Sequence, residues 1–228
     1  MAATYSSEVR YHPWVGNQYE EQEIRWLILG ESGYSLSQDE PRETERMIRA
    51  HNGDLQEDWD PRRYDICTAA ERLMTGSTQL NDDARLRFWN TVAFYNFVRE
   101  SMPNAQVRPT KRQFAESRSA FSEVIQTLKP HVVLVMGLVL WRYLPGTKNG
   151  WEEGQEQAGV LMPRPYKRRL LNVWTGYSDG EAKQDPFACF QVAHHASRGF
   201  DANNWATWMT AGKAEIEKRY CSTAATAT

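Results

Sequence analysis

A short run, His131-Val-Val-Leu-Val-Met-Gly137, limits the fold more than any other part of the chain. It is β-branched and apolar without alternation, starts just behind Lys129-Pro130 and stops at a glycine. A strand with no polar face has to be buried on both sides, which is the situation of a parallel sheet covered by helices. Ile24–Leu29, ending at Gly30, has the same character, and Leu170–Gly176 and Cys189–His194 read as two further strands. Between them lie helical patterns: Pro41 onward with proline in the first turn, Asp83 to Phe97 around Leu86, Trp89, Val92 and Ala93, and Gln113 to Leu128. A last helix spans Trp205 to Tyr220. Strands separated by helices predict an α/β fold, a three-layer α/β/α arrangement around a four-stranded parallel sheet. The 228 residues suit one domain, with its core over about 24–220, residues 1–20 as a covering segment and 221–228 as a frayed tail.

The net charge of −2 places any nucleic-acid role on local clusters rather than on the chain as a whole. Two such clusters stand out: Arg108, Lys111 and Arg112, and Arg164, Lys167, Arg168 and Arg169. Charge runs of this kind are usually solvated faces; flanking a cleft, they would track a phosphate backbone. Cys67, Cys189 and Cys221 are too few for a four-thiolate cluster and too dispersed for a disulfide framework, and they fit a reducing compartment. The five histidines and three cysteines show no metal-ligand spacing, so no metal or other cofactor is expected. The most apolar stretch, His131 to Trp141, is too short to span a bilayer, and the N-terminus lacks a signal layout, so a cytoplasmic location without a membrane partner is expected.

In parallel sheets, ligands bind beyond the carboxyl ends of the strands. Three predicted strands end there in polar or glycine-rich turns: Gly30-Glu31-Ser32-Gly33, Met136-Gly137, and His194-His195-Ala196-Ser197. Gly30-Glu31-Ser32-Gly33-Tyr34, Phe94-Tyr95-Asn96-Phe97-Val98, the Leu128–Gly137 strand and His195-Ala196-Ser197, in that order, resemble the uracil-DNA glycosylase superfamily across about residues 24–200. The family's first motif is Gly, any residue, Asp/Asn/Ala, Pro, then Tyr/Gly after a strand, and its last is His-Pro-Ser. Ser32 stands where many members carry the Asp or Asn that aligns the attacking water, and Gly33 and Ala196 stand where proline is usual. The chain lacks the four cysteines of the iron–sulfur branch.

The resemblance implies a monofunctional DNA glycosylase that extrudes a nucleotide and hydrolyses its N-glycosidic bond to leave an abasic site. The catalytic candidates are Glu31, His195 and Ser32. His195 would donate to the base's O2 as charge builds there, and Glu31 would offset the sugar's positive charge or hold the water. Asn96, Tyr34, Gly30 and Gly33 would bind the base. The Asn96 amide can pair with the Watson–Crick edge of uracil in one orientation or of cytosine in the other. Backbone amides at Ser197 and Arg198 would hold phosphates, Arg198 or Phe200 would fill the vacated stack, and Lys111, Arg168 and Arg169 would follow the DNA. No lysine lies in the matched motifs, so a Schiff-base step is not expected. DNA is the expected partner and a monomer the expected state. The small Ser32, Gly33 and Ala196 predict an open pocket, suited to a bulky modified cytosine such as glucosylated hydroxymethylcytosine of phage DNA, the substrate of defence-associated members.

Each residue also has a structural reading. Glu31 could be a solvated turn acid, Asn96 a backbone cap, Tyr34 plain packing and the His194–His195 pair part of the core. Three other functions stay open on the sequence: a glycosylase fold that binds unusual nucleic acid without catalysis, a uracil or hypoxanthine repair glycosylase, and a hydrolase of free nucleosides.

Overall fold

The computed structural model describes residues 4–34, 40–57, 60–104, 106–166 and 169–221. Strand β1 (Trp14–Val15) precedes β2 (Trp26–Tyr34), followed by helices α1 (Glu43–His51), α2 (Asp65–Thr75) and α3 (Asp82–Thr91). Strand β3 (Val92–Met102) leads to α4 (Lys111–Glu116), α5 (Arg118–Leu128), β4 (Val132–Met136) and the one-turn α6 (Leu138–Trp141). The chain closes with β5 (Glu156–Leu161), β6 (Leu170–Asn172), β7 (Trp174–Gly176), β8 (Phe187–Val192) and α7 (Ala206–Tyr220).

The sheet has six strands in the order β1-β3-β2-β4-β8-β7. The inner four are mutually parallel, while β1 and β7 run antiparallel at the edges. The expected four-stranded, all-parallel sheet is therefore corrected to a six-stranded mixed one. Leu170–Gly176 is not one of the parallel strands. It breaks at the buried Val173, with β6 pairing β5 in a separate two-stranded sheet and β7 antiparallel to β8.

The remaining parallel strand is β3, drawn from a segment whose spacing predicts helix through Phe97. Asn81 caps the start of α3 by accepting from the Ala84 amide at 2.8 Å. The helix ends at Thr91, where Val92 is already extended. From there Val-Ala-Phe-Tyr-Asn-Phe-Val pairs in register along β2, a better use of β-branched and aromatic side chains than another helical turn. The expected helix over 113–128 also divides, at Ser117. This residue is fully buried; its hydroxyl donates to the Gln113 carbonyl at 2.7 Å and accepts the Arg99 amide of β3 at 3.1 Å. Helix α5 stops at Lys129, which takes a left-handed φ of 44° immediately before Pro130.

Both faces of the sheet are dry, which explains the unbroken apolar runs. Ile28 points to one face with Ile48 of α1, Ile66 of α2, Trp89 of α3 and Trp208 of α7. Leu27 and Leu29 point to the other with Phe114 of α4, Phe121 and Val124 of α5 and Leu140 of α6. The N-terminal segment covers the second face through the buried Val9 and Tyr19 and adds the edge strand β1. Among the described residues, no helix is long and apolar enough to cross a membrane.

Candidate functional site

Strand β2 does not turn after Gly30, as the sequence suggests, but continues extended to Tyr34. Gly30 lies opposite Asn96 of β3. A Cβ at position 30 would stand 2.4 Å from Asn96 Oδ1, 3.1 Å from Ile66 Cδ1 and 3.2 Å from Phe94 Cζ. The glycine is thus the space into which the Asn96 amide folds. Asn96 is only 8% exposed, and no hydrogen bond joins its side chain to another described residue. Its amide opens on the cavity described below, with donors and acceptor available to whatever occupies that space.

Across the sheet, β8 ends at Val192 and delivers His194 and His195 to the same rim. Their rings lie 4.2 Å apart, tilted by 31°. His194 Nδ1 accepts the Ala196 amide at 3.2 Å, which leaves the proton of the neutral ring on Nε2. His195 Nδ1 is buried without a partner among the described residues. Burial, and secondarily the positive charge of Arg108, lowers His194 to a pKa of about 4. Burial and then the neighbouring His194 lower His195 to about 3. At neutral pH both imidazoles are uncharged, each able to donate one N–H and accept at the other nitrogen.

Asn96, His194 and His195 line one cavity of about 30 Å³ together with Ser32, Gly33 and Tyr34 from the end of β2. That is room for about two waters by the usual measure of roughly 10–15 Å³ each. The small residues at 32 and 33 do not open the site as expected, because Met47, Arg63 and Ile66 fill in from the helical side. Burial raises the Tyr34 hydroxyl above its ordinary value, and its carbonyl accepts from Arg63 Nη2 at 3.1 Å. Next to this cavity, and sharing His195 with it, is an open groove of about 470 Å³ bordered by Asp65, Thr68, Arg72 and Phe200.

Glu31 lies at this end of the sheet but does not line the cavity. By strand alternation it faces away from Asn96, on the side of Leu29. It is 5% exposed, and both carboxylate oxygens accept from Arg108 Nη2, at 3.1 and 2.9 Å. It is neither a solvated turn acid nor, in this arrangement, a side chain in contact with whatever fills the cavity. The acid that does reach the cavity is Glu43, 5% exposed and paired with Arg46 at 3.3 Å. Beside it, Thr44 Oγ1 is buried without a hydrogen-bond partner among the described residues. Sequence reasoning passes over both, since an acid and a threonine at the start of a helix read as ordinary first-turn residues. The pairing of Glu43 with Arg46, three positions on, offers no distinguishing signal.

The remaining candidates sit around the rim. Ser197 donates its amide to the His194 carbonyl at 2.8 Å, forming a tight turn that leaves Arg198 exposed at its tip. Phe200 is half-buried against the core and borders the larger groove. Lys111 is exposed at the start of α4, and Arg169 is exposed on a different groove, described below. Arg168, like Lys167 beside it, falls outside the described residues. Thus Ser32, Gly33, Tyr34, Asn96 and His195 meet at one cavity, Gly30 makes room for Asn96, and Glu31, Lys111 and Arg169 stand apart from it. Comparison with protein-family models and with curated proteins gives no match to this chain.

Proposed function

We propose that this protein is a monofunctional DNA glycosylase of the uracil-DNA glycosylase kind, the three-layer fold its sequence resembles. The observation that carries the reading is the meeting of an amide open to the cavity, Asn96, with an uncharged imidazole, His195, in one small cavity at the carboxyl ends of parallel strands. Cleavage of the N-glycosidic bond leaves the bonding electron pair on the base and positive charge on the sugar. A neutral N–H donor at His195 would strengthen its hydrogen bond as the base oxygen becomes anionic, without first giving up a proton of its own. Asn96 would hold the base edge in register. Water then adds to the sugar carbon, and its proton passes to a nearby acceptor. Glu43, the carboxylate on the cavity wall, is placed for that role or for offsetting the sugar's charge. Glu31 would act on the site through Arg108, whose positive charge reaches His194.

The base itself must displace the flexible Met47 to enter, since the cavity holds only about two waters. A bulky modified cytosine would present its pairing edge to Asn96 and project its substituent into the 470 Å³ groove, where Asp65, Thr68 and Arg72 supply polar partners. The test is base release from duplexes carrying glucosylated hydroxymethylcytosine, uracil or hypoxanthine, scored as alkali-labile abasic sites. The expected result is preferential release of the modified cytosine, reduced roughly 100- to 1,000-fold in His195→Ala. Equal or better release of uracil would move the assignment to a repair glycosylase. Binding with no release from any duplex would favour a non-catalytic module.

A further inference from the structure

A second groove, of about 480 Å³, combines charge and aromatic surface in a way the base cavity does not use. Four cationic side chains border it, Arg118, Arg142, Lys148 and Arg169, and no carboxylate does. None of the four has an acidic partner among the described residues, whereas Arg46, Arg99, Arg108 and Arg112 are each paired with a glutamate. Arg118 donates only to the Tyr143 carbonyl, at 3.2 and 3.3 Å, which leaves its charge uncompensated. In a chain of net charge −2, such a concentration of unpaired cations is a local departure rather than a background.

The same groove holds the half-buried Trp141 and Trp174, with ring centroids 5.7 Å apart and planes at 87°. In an edge-to-face pair the ring that offers its edge keeps both faces clear of its partner. A groove that brings four cations and two tryptophans together matches a ligand that carries both phosphates and flat rings. Trp141 and Trp174 pack against the core on the Leu27 and Leu29 face, opposite the face of Ile66 and Met47 that borders the base cavity. Helix α6, which carries Trp141, starts directly after Gly137 at the end of β4, and a Cβ at Gly137 would lie 3.9 Å from His194.

We propose that this groove binds an unpaired nucleic-acid strand, with its phosphates on Arg118, Arg142, Lys148 and Arg169 and a base against Trp141 or Trp174. The inference does not depend on base excision, because it is read by binding of an unmodified strand.

The experiment uses the full chain and a fluorescein-labelled twelve-residue oligothymidylate, followed by anisotropy from about 50 to 200 mM salt. The double variant Arg142→Glu/Lys148→Glu changes only exposed side chains and should melt as the parent does. It is expected to bind at least about ten-fold more weakly, with a log–log salt slope shallower by about 1.4, the value for two lost phosphate contacts at about 0.7 each. A twelve-residue abasic oligomer, which keeps the phosphates and lacks the rings, is expected to bind the parent protein about 5- to 150-fold more weakly, the loss of one stacked base. His195→Ala should bind the oligothymidylate as the parent does, so failure of base release and failure of strand binding are separately visible. Unchanged affinity in the double variant would overturn the proposal. Equal binding of the abasic oligomer, or equal competition by a duplex of the same length, would also overturn it.

Discussion

Gly30 shows how much one missing side chain can determine. An alanine there keeps an allowed backbone but drives a methyl to 2.4 Å from the Asn96 oxygen. Gly30→Ala should therefore cost about 1–3 kcal/mol by overpacking. In an Asn96→Ala background the same change should cost well under half as much, because the clashing amide is gone. Urea denaturation of the four proteins measures this coupling, and additive costs would remove the amide as the reason for the glycine. Asn96 stood out only through the family resemblance, inside a segment whose spacing reads as helix, whereas Gly30 and His195 were legible in the sequence because each sits where a predicted buried strand meets a polar turn. Glu43 was not, since only the packing of α1 over the strand ends turns a first-turn acid into a cavity wall. Glu31 was legible as a special acid and misread in direction. Its side of the strand follows from how far β2 stays extended, and a glycine pair at 30 and 33 suggests an early turn instead.

At the scale of elements, three of the helices over the Ile28 face, α1, α2 and α3, are joined by one buried acid. Glu71 of α2, 3% exposed, accepts from His51 Nε2 at the end of α1 at 2.6 Å and from Trp89 Nε1 of α3 at 2.8 Å. Arg85 Nε stands 3.6 Å away, an ion-pair contact rather than a hydrogen bond. Removing a charge that satisfies several buried donors strands all of them. Glu71→Ala should lose about 3–5 kcal/mol in equilibrium urea unfolding. Glu45→Ala, which breaks an exposed pair with Arg49 at 3.9 Å on the same helical layer, should change stability by less than about 0.5 kcal/mol. Similar losses for the two would show that the buried acid is no clasp. Elements were readable where pattern and tertiary setting agree, as in β4, β8 and α7. They were misread where a helical spacing and a strand composition overlap: Val92–Phe97 satisfies both, and only the free edge of β2 decides between them.

The whole molecule carries the cost of its two uncharged imidazoles. Their folded pKa values of about 4 and about 3 lie below the ordinary 6.5, so the unfolded chain takes up protons that the native state refuses. Stability is unaffected by this pair above about pH 6.5 and falls as the pH drops from there toward 4 and 3. Between pH 6.5 and 5, before most carboxylates titrate, the melting temperature should fall more steeply in the parent than in His194→Gln/His195→Gln. Matching slopes would mean that the two rings are not held neutral by burial. Since the proposed donor is already uncharged, base release should show no inflection near pH 6.5.

Ser117, where the long helix over 113–128 breaks, has a consequence at the margin of the sheet. Strand β1 covers β3 only at Ala93 and Phe94, so a molecule of this kind could offer the rest of that margin to a neighbour as a template for ribbon growth. The serine hydroxyl already accepts the Arg99 amide at 3.1 Å, so that donor of β3 is spent within the molecule. The break in the helix thus removes one hydrogen-bond donor from the margin that ribbon growth would need.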